Sequence, residues 1–581
     1  MEDGAVLTAP EGYSLSLTVD GVETGSVLDG TYGWATLIAA GVYRGAVVLT
    51  PAVEHLESFA GATFHLRQGV YVGAAGVVTE NSVLSNVRGG RLTDAYAKNV
   101  ALTSTGESFN GFFVTGAGTG TRLIVEGADI DNRGVVRTGL FARDGSNVIV
   151  KNSRIRTPEG VLPADYEPGF GANMMTVPWM LDLCGNVRAT NILGENTTAT
   201  YLNSSVSSEA WGVLSTDSVR NSVLTAVNST VTITGDSGYG TYADGGSQQD
   251  VFLSIRFDVA TFAAISTGGS VAFADSTRDA VATLNTEADL RLSEGELAAI
   301  EPRQSVVDSR GFGVMWHSGD GDGAAGGGTR FTTAETMFLD KGKQMSIVVD
   351  GSQGAHLHAG NGVLVQIMET DDPGSMTGLY TEPTGDPARD TDFDTTAEHT
   401  AYATASFTDI SLSGDFYNAM RTGKNLIVAF HRSRVEGVVS SSTSRHAVST
   451  ITSAEWRQIN HVTNTPKPTV NNGVIVKPGA GSVWTVTGTS YLTKLVVDAN
   501  AAVRAPAGKR LTLTVDGAVT ALSPGATYSG ALALTVTQRP PDDLETPCDV
   551  IHPPPARPAH RRDARGRARP APRGPSLRRP G

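Results

Sequence analysis

The residues of this chain best placed to do chemistry are acids and bases that fall opposite one another. "RLIVEGADIDNRG" begins at Arg122 and "NVIVKNSRIRT" at Asn147, so an offset of 25 residues sets Glu126 on Lys151, Asp129 on Arg154 and Asp131 on Arg156. One chemistry open to such a group is that of a polysaccharide lyase, in which carboxylates hold calcium and an arginine takes a proton from a uronate. The other reading is structural, a ladder of ion pairs between neighbouring strands that penalises a slipped register. Opposite charge in all three columns favours the ladder.

The remaining candidates are weaker. His356 and His358 in "GAHLHAG" would share one face of a strand and could bind a metal, but a core-facing Leu357 explains the same spacing and no third ligand accompanies them. "HSGDGDGAAGGG" (His317 to Gly328) lacks the repeated frame of a calcium-binding repeat, and its glycines predict a flexible loop. A glycosidase needs two carboxylates at a defined separation. Asp371 and Asp372 in "METDDPG", and Asp390, Asp392 and Asp394 in "ARDTDFD", supply acids, yet the turn residues around them predict solvated loops. Trp211, Tyr239, Tyr242 and Trp316 suit either a sugar-stacking stripe or an inward aromatic stack. No nucleophile elbow, zinc-protease helix, phosphate loop or dinucleotide fingerprint occurs. The sequence therefore assigns no catalytic residue, no metal and no cofactor, and leaves the binding residues unknown.

Composition narrows the partners. The formal net charge is −14, and residues 539–581 hold ten Arg and five acids, so the remainder carries −19. An acidic body disfavours nucleic acid, whose binding depends on cations that neutralise phosphates. The Pro- and Arg-rich tail has no apolar pattern to bury and reads as disordered or out of frame. The two cysteines, Cys184 and Cys548, exclude a disulfide framework and a thiolate metal cage. No stretch has the apolar length of a membrane span, and Met1 to Pro10 lacks a secretory pattern, so either the chain is cytosolic or an export signal has been lost; the resemblance given below favours loss.

The elements that must position these residues repeat. "TYLNSSVSS" (Thr200 to Ser208) and "TAVNSTVTI" (Thr225 to Ile233) align at the same offset of 25, and Asn152 to Asn203 spans 51, two periods plus one. Asn152, Asn203 and Asn228 mark a turn that tolerates left-handed backbone. A coil of this length built from short β-branched runs fits a three-stranded parallel β-helix. The rung "VIVKNSRI" resembles those of right-handed parallel β-helices, the pectin-lyase-like and pertactin-like solenoids. "SVWTVTGTSYLTKLVVD" (Ser482 to Asp498) is similar to the closing rungs of bacterial adhesins and autotransporter passenger domains. The catalytic sets of pectate lyases and polygalacturonases are absent from the sequence.

The expected architecture is all-β, a right-handed parallel β-helix solenoid with a small β-hairpin module at each end. "LSLTVDG" at Leu15 to Gly21 and "LTLTVDG" at Leu511 to Gly517 each present an Asp-Gly turn between alternating runs. The expected segments are 1–59 as an N-terminal module, 60–480 as the β-helix, 481–538 as closing rungs and a β module, and 539–581 as the tail. One short helix is predicted where Ser293 can cap "EGELAAI". About sixteen coils at about 4.8 Å each predict a monomeric rod about 75 to 80 Å long. The resemblance implies an extracellular or cell-surface protein, non-enzymatic and adhesin-like, whose partners are host or bacterial surface glycans or proteins. The alternative is a lyase or glycoside hydrolase on the same solenoid.

Overall fold

Runs rich in Val, Ile, Thr and Phe, broken every few residues by Gly, Asn or Ser, are too short for helices and pair as strands. The computed structural model describes residues 122–539 apart from 163, 167–179, 288–291, 301–302, 318, 373–379, 382–400, 422, 453 and 470–471, together with a series of strands between Ser14 and Thr115. The chain is all-β, with parallel strands in long stacked sheets, an arrangement compatible with a solenoid.

Among the described residues the first sheet contains thirteen parallel strands running from Asp94–Lys98 to Ser490–Val496. The expected register holds: Ile124 pairs with Ile149, Glu126 with Lys151, and Thr200 with Thr225. The 51-residue interval, however, is one long coil and not two short ones, because Ile149 pairs directly with Thr200. Three more intervals are stretched, to 52, 58 and 48 residues, pairing Gly269 with Gly321, Ser346 with Thr404 and Lys424 with Asn472.

After several strands of the first sheet the chain turns through a left-handed residue. Asn152, Asn203 and Asn228 have φ of 50°, 49° and 48°. The serine that follows points inward and links neighbouring coils. Ser153 Oγ accepts from the Ala128 N–H at 3.0 Å, and Ser204 and Ser229 repeat this bond on the N–H groups of Ser153 and Ser204. Each hydroxyl also donates to the carbonyl two residues earlier, which satisfies a buried polar group that would otherwise destabilise the turn. The second sheet begins immediately after this turn. Its inward column runs Ile130, Ile155, Val206, Val231, Phe257, Val307, Phe331 and Leu357, all buried.

The long coils use their extra residues to cover the outside of the stack. Helix α1 (Arg278–Glu287) and the residues flanking α2 (Glu294–Ala299) lay Val281, Leu292 and Ile300 over Ile124, Ile149, Leu202 and Val227 of the first sheet. α2 starts with the capping box that Ser293 predicts, its hydroxyl bonded to the Glu296 N–H and the Glu296 carboxylate to the Ser293 N–H. A third sheet, including Phe262–Ser266 and Phe312–Trp316, is buried along both faces. A second apolar cluster, with Leu181, Leu183, Trp211, Tyr239, Phe262, Phe312 and Met315, packs there beneath the long segments.

The two Asp-Gly turns do form hairpins. Val19 pairs with Val22, and Val515 with Ala518, each in an antiparallel strand pair, and Asp516 and Gly517 turn through φ of 49° and 82°. At the C-terminal end, parallel stacking stops where Ser490–Val496 meets the antiparallel strand Thr527–Gln538. Residues 1–537 form one unit and 538–581 another, and the tail from 540 onward lies outside the described residues.

Candidate binding groove

The charged residues singled out by spacing are positioned as a ladder. Asp129 pairs with Arg154 and Asp131 with Arg156 in register. Arg154 grips Asp129 with both Nε, at 2.8 Å, and NH2, while Arg156 bonds Asp131. The Asp129 hydrogen bond, with that carboxylate's charge, raises the Arg154 pKa further. In the third column Glu126 meets Lys151 along the backbone, but Lys151 is buried and its ammonium lies 3.5 Å from Glu296 on α2. The outer face of the second sheet continues the theme, with Arg310 on Asp258 at 3.1 Å and Arg330 on Asp308 at 3.0 Å.

Other expectations need correction. Gly321–Ala325, expected within a flexible loop, is a strand of the first sheet. Its glycines make room for a core residue: a Cβ on Gly323 would lie 2.7 Å from Trp316 Cζ2, and one on Gly321 would lie 2.5 Å from the Gly269 carbonyl oxygen. Asp371, expected in a solvated loop, is fully buried. It binds Lys341, accepts from the Asn460 N–H at 2.6 Å, and lies 2.8 Å from His446 Nε2. Burial alone would raise its carboxyl, but the Lys341 charge and the His446 hydrogen bond overcome this and hold it well below the usual range. Burial likewise lowers the Lys341 ammonium, against the pull of Asp371. Asp372 faces His317 at 3.3 Å with its side chain only 4% exposed. Lys341 and Asp371 have no side-chain exposure, so a dissolved substrate has no access to them. This cluster joins long segments to the third sheet.

His356 and His358 are exposed on one strand and Leu357 is buried between them. Among the described residues no group of three or more His, Cys, Asp or Glu is placed to share a metal. Trp316 lies in the central core, whereas Trp211 and Tyr239 are buried in the cluster outside the third sheet with Tyr242 beside them, so these four make no exposed stripe. Cys184 is half-buried, and burial pushes its thiol pKa up. Cys548, Asp390, Asp392 and Asp394 lie outside the described residues.

A feature the sequence reading missed lies on the outer face of the first sheet. Gln249, Ser270, Asp322, Ser346 and Thr404 pair in turn across five consecutive strands, forming one unbroken column. Alternation along a strand turns all five outward. They line a groove of about 620 Å³ together with Gly269, Gly321 and Tyr402, which is 43% exposed. Asp320 and Gln344 complete one side, where the Gln344 N–H donates to Asp320 Oδ1 at 2.7 Å. Gln248, also on the lining, donates to the buried Asp250 at 2.5 Å, and Thr241 donates to it as well. Burial raises the Asp250 carboxyl to about 6 despite these two bonds. The column was hidden because its members are separated by unequal intervals, which no fixed period detects. No protein-family model, curated protein or solved structure matches the chain.

Proposed function

We propose that this chain is a right-handed parallel β-helix of the extracellular or cell-surface kind, adhesin-like and non-enzymatic, which binds surface glycans along its first sheet. The observation that carries this reading is the in-register column from Gln249 to Thr404. A stack of strands repeats side chains at a regular spacing, which suits many weak contacts to a chain-like ligand better than one deep pocket. The resemblance to surface solenoids supports the location. The lyase or hydrolase alternative relied on the Arg154 region and on the acidic loops; Arg154 and Arg156 are bound to Asp129 and Asp131, Asp371 is buried, and Asp390, Asp392 and Asp394 lie outside the described residues. The test is a glycan panel assayed both for binding and for new reducing ends or unsaturated uronates, with and without calcium. Binding without turnover supports the proposal, and turnover overturns it.

A further inference from the structure

We infer that the groove takes a polysaccharide without acidic groups, either neutral or bearing free amines, laid along the stacking direction; this rests on the glycan-binding reading above. The described lining offers hydroxyls and carboxamides, among them Ser270, Ser346 and Gln249, together with the carboxylates of Asp320 and Asp322. No lysine or arginine is among those lining residues. A polyuronate or sulfated glycan would therefore bring its charges against two carboxylates with no cation in the lining to offset them, on a chain whose net charge is already −14. A nucleic acid is disfavoured for the same reason. An extended peptide fits poorly, because the groove runs over a sheet face whose backbone groups already pair within the sheet, leaving none for β-addition.

A hydroxyl-rich chain meets none of these obstacles. The column advances about 4.8 Å per strand, close to the repeat of a β-linked pyranose chain, so successive sugars can meet successive side chains from Gln249 to Thr404. The exposed Tyr402 ring offers a flat apolar face for a sugar ring, and its π-face attracts an ammonium. Asp320 and Asp322 then favour an amine-bearing chain over its neutral analogue.

Calorimetric titration of the full-length protein tests this with three probes: a β-linked glucose oligomer, the corresponding glucosamine oligomer, and an oligogalacturonate with and without calcium. The expected order is glucosamine oligomer first, glucose oligomer second, and oligogalacturonate at least about tenfold weaker in either condition. Tyr402→Ala should weaken both of the first two by about tenfold, with an unchanged melting temperature, and Asp322→Asn should remove the preference for the amine while keeping the neutral oligomer. Oligogalacturonate binding as tight as the glucose oligomer, and sensitive to Tyr402→Ala, would overturn the ligand class and leave the groove standing. Binding indifferent to both variants would overturn the groove as the site. No binding of any probe would overturn the glycan reading itself.

Discussion

At the residue scale, the Asp129–Arg154 pair is the simplest test of register. Both side chains are about half exposed, 49% and 48%, so the pair is worth little in absolute terms. A double-mutant cycle built on Asp129→Arg and Arg154→Asp should still give a favourable coupling of about 0.2 to 1 kcal/mol that weakens with salt. Zero coupling at low salt would remove the ladder. Asp250 tests the opposite situation, a carboxyl facing the core. Its folded-state pKa, about 6, lies above the ordinary value of 3.8. The unfolded chain therefore releases this proton first, and stability that is full below the ordinary value declines as pH rises through the window up to about 6. Asp250→Asn removes that titration, beside the buried Gln248 Oε1, which has no hydrogen-bond partner among the described residues. The variant should melt higher than the parent at pH 7 and lose the difference near pH 4, an effect on the order of 3 kcal/mol; equal pH profiles would refute it. Asp129 and Arg154 were legible because one constant offset joins them. Asp371 was not, since "METDDPG" spells a turn and its partners Lys341 and His446 lie 30 and 75 residues away.

At the element scale, local composition misled where packing set the rule. Glycines between Gly321 and Gly328 looked like a loop, but Gly323 lies against the Trp316 indole in the coil interior. Gly323→Ala should therefore destabilise by about 1 to 3 kcal/mol in chemical denaturation, and adding Trp316→Phe should recover part of that loss. Additive losses would mean that the two positions do not contact. The turn after each strand, by contrast, was readable: Asn supplies the left-handed residue and Ser the inward hydroxyl, a division of labour visible in "KNSR", "LNSS" and "VNST". The long segments over the third sheet were not readable, because their order depends on contacts distant in sequence. Asp371→Ala would leave Lys341 buried without its carboxylate and lose the bond to the Asn460 N–H, a change worth about 3 to 5 kcal/mol. Hydrogen exchange should show protection lost first at 446–464, with the first sheet unaffected. Uniform loss across all the sheets would contradict a local clamp.

At the scale of the whole chain, repetition creates a problem at its ends, because a stack of parallel strands leaves an unpaired edge that another copy can join. The C-terminal hairpin module meets this by reversing direction. Thr527–Gln538 pairs antiparallel with Ser490–Val496, and the sheet then finishes on Ala518–Thr520, an exposed strand of only three residues. Leu492 and Leu495 on the last parallel strand are buried, within the same core as Leu513, Leu532 and Leu534 of the module. The module's Asp-Gly turn was visible in the sequence, but its place against the final parallel strand required the fold. Two truncations separate the module from the tail beyond it. Ending the chain after Gln538 removes no residue of that core and should leave the melting temperature unchanged. Ending it after Asp498 removes the antiparallel strand, exposes Leu492 and Leu495, and leaves a seven-residue edge, Ser490–Val496, open to pairing. That shorter chain should melt lower and form concentration-dependent aggregates in light scattering, with added Lys or Pro substitutions on the edge strand suppressing them. A monomeric, equally stable chain ending at Asp498 would show that the module is no cap.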